Sequence, residues 1–253
     1  MKLNELGAVV TGGASGLGAA AARMLAQSGV KVTIFDLDRE RGTETAREVD
    51  GQYVSVDVTD EDSVRKGFDQ AARSHGAARI LVNCAGIAPV GRVVDKSGEA
   101  HDIGIFRKTI EVNLIGTFNV LSIFASRLAS VEAIGEERGV IVNTASVAAY
   151  DGQIGQCAYA ASKGGVVSLT LPAARDLAKH QIRVMTVAPG IFITPMLVGL
   201  PQAAQDSLGQ QVPHPSRLGQ PDEYAALVKS IIENPMLNGE VIRLDGAIRM
   251  APR

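Results

Sequence analysis

The chain has 253 residues, 46% of them hydrophobic and 21% charged, which suffices for one sizeable α/β core, and no Pro/Gly/Ser-rich linker divides it. With 25 basic and 27 acidic residues the net charge is −2, and no basic block offers a footprint for nucleic acid, so a nucleic-acid partner is not expected.

The start, Met1-Lys2-Leu3-Asn4-Glu5-Leu6-Gly7, enters a strand without a signal peptide or Arg-rich presequence. No apolar run reaches the ~18 residues of a membrane span, and a soluble, cytoplasmic protein without membrane contact is the expectation. Residues 6–10 read as a short strand running into Thr11-Gly12-Gly13-Ala14-Ser15-Gly16-Leu17-Gly18, after which 19–26 is strongly helical. Glycines let the backbone take positive φ and approach a ligand, and a helix N-terminus offers unpaired N–H groups and a positive dipole end to a pyrophosphate. Gly12, Ser15, Gly16, Leu17 and Gly18 are therefore candidate dinucleotide contacts, although Gly-x-x-x-Gly-x-Gly departs from the usual Gly-x-Gly-x-x-Gly and a merely tight turn is the other reading. Residues 31–35 form the second strand, ending in Asp36. An acid there hydrogen-bonds the adenosine ribose hydroxyls and repels a 2′-phosphate, which points to NAD rather than NADP. No Arg or Lys lies in the glycine loop, while Arg39 and Arg41 follow closely. A cap for the next helix is the alternative role of Asp36.

Residues 52–56 give a third strand ending in Asp57 and Val58, placed to meet an adenine amino group and its face, and Thr59 or Asp60 caps a helix at 61–74. The fourth strand, 79–82, exits into Asn83-Cys84-Ala85-Gly86; of these, Asn83, Ala85 and Gly86 are small enough for close approach of a cofactor, or form an ordinary strand exit. The segment 87–104 is polar, Gly-containing and longer than ordinary connections, as binding loops are. A long amphipathic helical run at 105–131 contains Asn113. Mid-helix Asn is unfavourable unless its side chain or a freed carbonyl is used, an interhelical hydrogen bond being the bland version.

The β-branched run Val140-Ile141-Val142-Asn143-Thr144 reads as a buried strand, with Ser146 just past its end. Tyr159 and Lys163 are four apart in an Ala-rich run that stays helical towards 179, so they share one helix face. A hydroxyl, a phenol and an ammonium thus converge at the C-terminal edge of a sheet, where ligands bind in open α/β folds. Such a trio suits acid/base work on an alcohol or ketone. A free tyrosine titrates near ~10, and making it a base near neutrality takes roughly 4 kcal/mol. An ammonium about 4 Å away supplies roughly that at an effective dielectric of ~20. Ser146 is placed to hold the substrate oxygen while Tyr159 moves the proton. Tyr-x-x-x-Lys alone is common in helices; its weight comes from the glycine turn and Asp36.

Pro172 predicts a bend in this helix. Residues 182–187 form a further strand whose exit places Pro189, Gly190, Ile191 and Thr194 over the nicotinamide end of a cofactor. Residues 195–219, with Met196, Leu197, Val198, Leu200 and Leu208 among Pro and Gln, suggest a mobile apolar lid or a core-packing helical insert. Pro221 opens a final helix and 238–246 a last strand. Cys84 and Cys157 lie outside any Cys-x-x-Cys or Cys/His cluster and read as small buried residues. His75, His101, His180 and His214 are scattered, so no metal is expected.

With these residues in place, the chain resembles the short-chain dehydrogenase/reductase family over essentially its whole length. The signatures occur in the family's order: Thr11-Gly12-x-x-x-Gly16-x-Gly18, Asn83-x-Ala85-Gly86, Asn113, Ser146 and Tyr159-x-x-x-Lys163. The resemblance implies an α/β Rossmann fold with a seven-stranded parallel sheet and helices on both faces, and hydride transfer at a nicotinamide. It implies Tyr159 as acid/base, Ser146 on the substrate oxygen, Lys163 lowering the tyrosine pKa and holding the ribose, and Asn113 positioning a proton-relay water. Residues 143–149, 172–178, 212–219 and 238–250 further resemble a branch whose members oxidise the 3-hydroxyl of acyl-CoA thioesters with NAD, some accepting hydroxysteroids and other secondary alcohols.

The reading that results is a single NAD-binding catalytic domain over 1–253, with substrate loops at 87–104 and 190–219. It oxidises a secondary alcohol, the 3-hydroxyl of a 3-hydroxyacyl-CoA, to a ketone, with Gln153 and Gln156 beside Ser146 and Tyr159 in the substrate cleft. The rivals are a dehydrogenase of a hydroxysteroid or other secondary alcohol, and a non-catalytic NAD-binding sensor or scaffold. Resemblance of the helices at 105–131 and 158–179 to ones that pair across subunits implies a homotetramer.

Overall fold

A computed structural model describes residues 1, 3–198 and 201–252, without the side chains of Met196, Val198 and Ala204. Four βα units come first: β1 (Gly7–Thr11), α1 (Gly16–Gln27), β2 (Lys31–Asp36), α2 (Arg39–Glu48), β3 (Gln52–Ser55), α3 (Glu61–His75), β4 (Ala78–Asn83) and α4 (Ile103–Ile110). A π-helical turn, Glu111–Ile115, joins α4 to α5 (Gly116–Leu128), followed by β5 (Gly139–Thr144), α6 (Ala148–Asp151), α7 (Cys157–Ala178) and β6 (Ile182–Pro189). Then come α8 (Pro195–Val198), α9 (Gln202–Gln210), α10 (Pro221–Glu233) and β7 (Val241–Leu244).

The seven strands form one sheet in the order β3-β2-β1-β4-β5-β6-β7, every pairing parallel. The chain reverses its winding between β1 and β4, which opens a crevice beyond their C-terminal ends. Successive strand residues face opposite sides, so Val10, Ile34, Val82 and Val142 pack under α1 and α10 while Val9, Phe35, Leu81 and Ile141 pack under α3 and α5. Burial on both faces is why these strands read as continuous β-branched runs.

Several sequence expectations change. The helical run Ile103–Leu128 is long and apolar enough, by length and composition, to cross a membrane. Half of its apolar window is nevertheless buried within the domain, with Val120, Leu121, Phe124 and Leu128 in the core. Asp38, not Asp36, caps α2, accepting from Arg41 N, and Asp60 caps α3 through Asp62 N and Ser63 N. Pro172 lies inside α7 without ending it. Cys157 is exposed at the start of α7, and only Cys84 has its thiol enclosed. The lid region carries two short helices, α8 and α9; Leu200 lies outside the described residues, as do the side chains of Met196 and Val198.

Candidate active site

The three signature glycines do different things. A Cβ on Gly12 would sit 2.7 Å from Ala85 N, and one on Gly18 2.2 Å from Gly12 O, so both are small because the chain packs on itself. Gly16 has φ +53° and opens outward, its nearest neighbours being Pro195 and Thr194 at 3.6 Å or more. At the head of α1 the Ser15 side chain makes no capping bond and the first turn holds no acid, leaving the positive helix end unneutralised. This cradle fits a pyrophosphate. Leu17 is turned partly into the core.

Asp36 ends β2 with its carboxylate pinned to the turn: Oδ2 accepts from Ala14 N at 3.0 Å and Oδ1 from Asp38 N at 3.0 Å. Arg41 is engaged elsewhere, its Nε donating to Asp38 at 2.7 Å. Asp57 accepts from the Thr59 hydroxyl at 2.7 Å and from Thr59 N at 2.9 Å, which hold its carboxyl below the ordinary range. Val58 is buried against Gly116 of α5 rather than presented on an open face.

Asn83 is the last residue of β4. Its side chain is buried and spans the sheet, Nδ2 donating to Asn143 Oδ1 at 2.9 Å while Oδ1 accepts from the Thr11 hydroxyl. Parallel register sets Thr11, Asn83 and Asn143 side by side, so this amide holds the strand exits together. Thr11 Oγ1 in turn accepts from the backbone N of Cys84 and Ala85. Gly86 then leaves room for two side chains: its Cβ would lie 3.1 Å from Asn113 Oδ1 and 3.5 Å from Lys163 Nζ.

Asn113 is fully buried in the π-helical turn. Its amide pairs with both backbone groups of Ile87, accepting from N and donating to O at 2.8 Å each, and donates to Ser162 Oγ on α7 at 2.9 Å. The side chain therefore makes the interhelical link and also clamps the loop after β4, which the sequence did not suggest. The Asn113 carbonyl accepts from the Thr117 hydroxyl at 2.8 Å.

Tyr159 and Lys163 share one face of α7, with the ammonium 5.9 Å from the phenol ring centre. Lys163 is buried and donates to Thr144 O at 2.8 Å, and burial lowers its pKa to about 8. Burial also raises the Tyr159 phenol, opposed by the Ser146 hydroxyl facing it. The expected lowering of the tyrosine by lysine does not emerge here, because removing the phenolate from water costs more than the Ser146 hydroxyl returns. Ser146 follows β5, its hydroxyl accepting from Ala148 N at 3.1 Å.

The exit of β6 lies beside this trio: Val147 N donates to Pro189 O at 3.0 Å and Gly190 N to Leu244 O at 2.9 Å. Gly190 is needed because its Cβ would meet Asp245 Cα at 2.9 Å. Gly219 N donates to Ile191 O, fixing the segment that carries Thr194 back over Gly16. Gln153, expected in the substrate cleft, donates its amide to Ala251 O at 3.0 Å. Ile154 N also donates to Pro252 O, so the final residues brace this loop, while Gln156 Oε1 accepts from Gln153 N. No local pattern announces that contact, which joins residues nearly a hundred apart. The loop at 87–104 docks here through Gly91 N to Gly155 O and exposes Val90, Val93 and Val94, a more apolar surface than its composition suggested.

A family profile described as short chain dehydrogenase matches residues 7–205. The chain belongs to that family. It is an oxidoreductase, and short-chain dehydrogenases work on small molecules with NAD(H) or NADP(H). The human 3-hydroxyacyl-CoA dehydrogenase type-2 is 51% identical over 249 residues, covering 97% of this chain and 95% of that protein. A 3-oxoacyl-[acyl-carrier-protein] reductase of Thermotoga maritima is 34% identical over 98% of this chain and 99% of its own. The crystal structure of 3-hydroxyacyl-CoA dehydrogenase type-2 from Mycobacterium avium superposes with a TM-score of 0.94 at 43% identity, covering 98% of this chain and 97% of that one.

Proposed function

We propose that this short-chain dehydrogenase is an NAD-dependent 3-hydroxyacyl-CoA dehydrogenase acting through Tyr159, Ser146 and Lys163. The observation that carries the reading is the meeting of that trio beyond β5, in a chain half identical along nearly its full length to enzymes of that name. Ser146 holds the substrate oxygen, and Tyr159 removes its proton. The Lys163 ammonium lies 5.9 Å from the centre of the phenol ring, and its positive charge favours the phenolate. Oxidised nicotinamide, when bound, accepts the hydride and brings a second positive charge near the phenol.

The glycine turn from Gly12 to Gly18 would hold the pyrophosphate, and Asp36 the adenosine ribose. NAD rather than NADP is supported by the Asp36 carboxylate against the turn and by the engagement of Arg41 with Asp38. Asp57 would face the adenine; the exit from Pro189 to Thr194 would cover the nicotinamide. Exposed Val90, Val93 and Val94 suit an acyl chain, and would suit the rings of a hydroxysteroid as well. A homotetramer in the cytoplasm completes the proposal; exposed Ile115, Phe118 and Leu171 favour subunit pairing, to be read by light scattering.

NADH production at fixed NAD, from (S)-3-hydroxybutyryl-CoA beside hydroxysteroids and aryl alcohols, tests the substrate. A kcat/KM for the thioester orders of magnitude above the others is expected. Equal values would keep the dehydrogenase and remove the acyl-CoA assignment.

A further inference from the structure

Beside Lys163 lies a buried polar cluster drawn from the ends of β4 and β5 and from α10. The Lys163 ammonium donates to the carbonyl of Thr144, the last residue of β5. The hydroxyl of the same Thr144 is 2.8 Å from the hydroxyl of Tyr224, a fully buried residue of α10. Cys84, just after β4, closes the group with its Sγ 3.3 Å from Thr144 Oγ1 and 3.4 Å from Tyr224 Oη. Thr144 is thus gripped by its side chain while its carbonyl receives the ammonium.

We propose that Tyr224 is a positioning residue for Lys163, acting through Thr144 to fix the carbonyl that holds the ammonium; the proposal rests on the acid/base reading of Tyr159 and Lys163. A buried ammonium keeps its charge only where acceptors replace water. The titratable groups facing it are Tyr159 on its own helix, Cys84 beyond β4 and, across Thr144, Tyr224 of α10. Burial raises both the Cys84 thiol and the Tyr224 phenol, so these two stay neutral and serve as hydrogen-bonding groups rather than counter-ions. A loosened Thr144 weakens the acceptor, the lysine gives up its proton more easily, and Tyr159 becomes harder to ionise.

The test compares Tyr224→Phe, Thr144→Val and the double variant with the unaltered enzyme, following alcohol oxidation by NADH formation from NAD and (S)-3-hydroxybutyryl-CoA across pH. Val228→Ala, a buried change on the same helix outside the cluster, is the control for lost packing. Tyr224→Phe and Thr144→Val should each move the acidic limb of the kcat profile up by about half a pH unit. Each should also lower kcat near neutrality about threefold with little change in KM, and the double variant should add nothing. Val228→Ala should lower the melting temperature and leave the profile in place. An unmoved profile in Tyr224→Phe, with melting temperature alone reduced, overturns the proposal, as does full additivity of the two changes. Tyr159→Phe in the same assay separates the two readings: activity retained there refutes the acid/base role itself. A dead Tyr159→Phe beside an unmoved Tyr224→Phe refutes only the positioning.

Discussion

At Lys163 burial opposes the charge, and the Thr144 carbonyl is the acceptor that stands in for water. The shared face of Tyr159 and Lys163 was legible from spacing, because residues four apart on a helix lie one above the other. The direction of their pKa values was not, since desolvation depends on what packs around the phenol and the ammonium. Replacing Tyr159 by Phe keeps the ring and removes only the ionising oxygen. Turnover should fall roughly a thousandfold, as expected for loss of a general acid/base, while NADH binding followed by fluorescence stays nearly intact. Asp36 offers the second residue-scale test. Its carboxylate is held by Ala14 N and Asp38 N, and Asp36→Ala removes the negative charge that the ribose of the proposed NAD would meet. The ratio of kcat/KM for NAD over NADP should drop by about tenfold or more. An unchanged ratio would mean that the ribose is read elsewhere.

Among the elements, the strand, glycine turn and α1 were readable as a unit, but the reason for each glycine was not. Gly16 is the one on the open side, whereas Gly12 and Gly18 are dictated by backbone from other parts of the turn and from the exit of β4. Gly18→Ala would force a methyl within 2.2 Å of a carbonyl oxygen that cannot move away without breaking the turn. It should cost about 2–3 kcal/mol of stability by overpacking, measured by urea unfolding, and weaken NADH binding with it. The π-helical turn around Asn113 was legible only as an anomaly, an Asn where a helix gains nothing from one. What it grips, the two backbone groups of Ile87, lies 26 residues earlier and has no local signature. The side-chain partners of Asn83 were hidden for the same reason: Thr11 and Asn143 become its neighbours only once parallel strands are in register.

Across the whole molecule, the far edge of the sheet is tied by an ion cluster remote from the site. Glu137 pairs with Arg183 and, at 3.0 Å, with the N-terminal ammonium of Met1, and Arg183 also donates to the carbonyls of Ile231, Ile232 and Leu237. Burial alone would raise the Glu137 carboxyl, but hydrogen bonds from Arg183 and the N-terminus more than reverse it, leaving its pKa below 4.5. A carboxyl whose folded pKa is depressed contributes stability fully above its unfolded value and loses it as pH falls through the folded value. The melting temperature should therefore decline as the pH drops below about 4.5. Glu137→Gln should flatten part of that decline and cost roughly 3 kcal/mol at neutral pH, because Arg183 is left buried without its counter-ion. Calorimetry across pH measures both; an unaltered slope would assign acid sensitivity to other carboxylates.

The parallel seven-stranded sheet was implied by the family resemblance, while the sequence by itself determined the alternation of strands and helices and the residue types of the trio Ser146, Tyr159 and Lys163. These are local or periodic properties: apolar period, glycine spacing, and positions four apart on one helix. Only the tertiary structure decided which polar side chains are open and which are consumed. Asn83 and Gln153 are taken by partners 60 and 98 residues away, and Tyr224 reaches Thr144 across 80. A hydrogen bond between distant residues leaves no periodic trace, because it depends on where two backbones meet in space rather than on the sequence around either one.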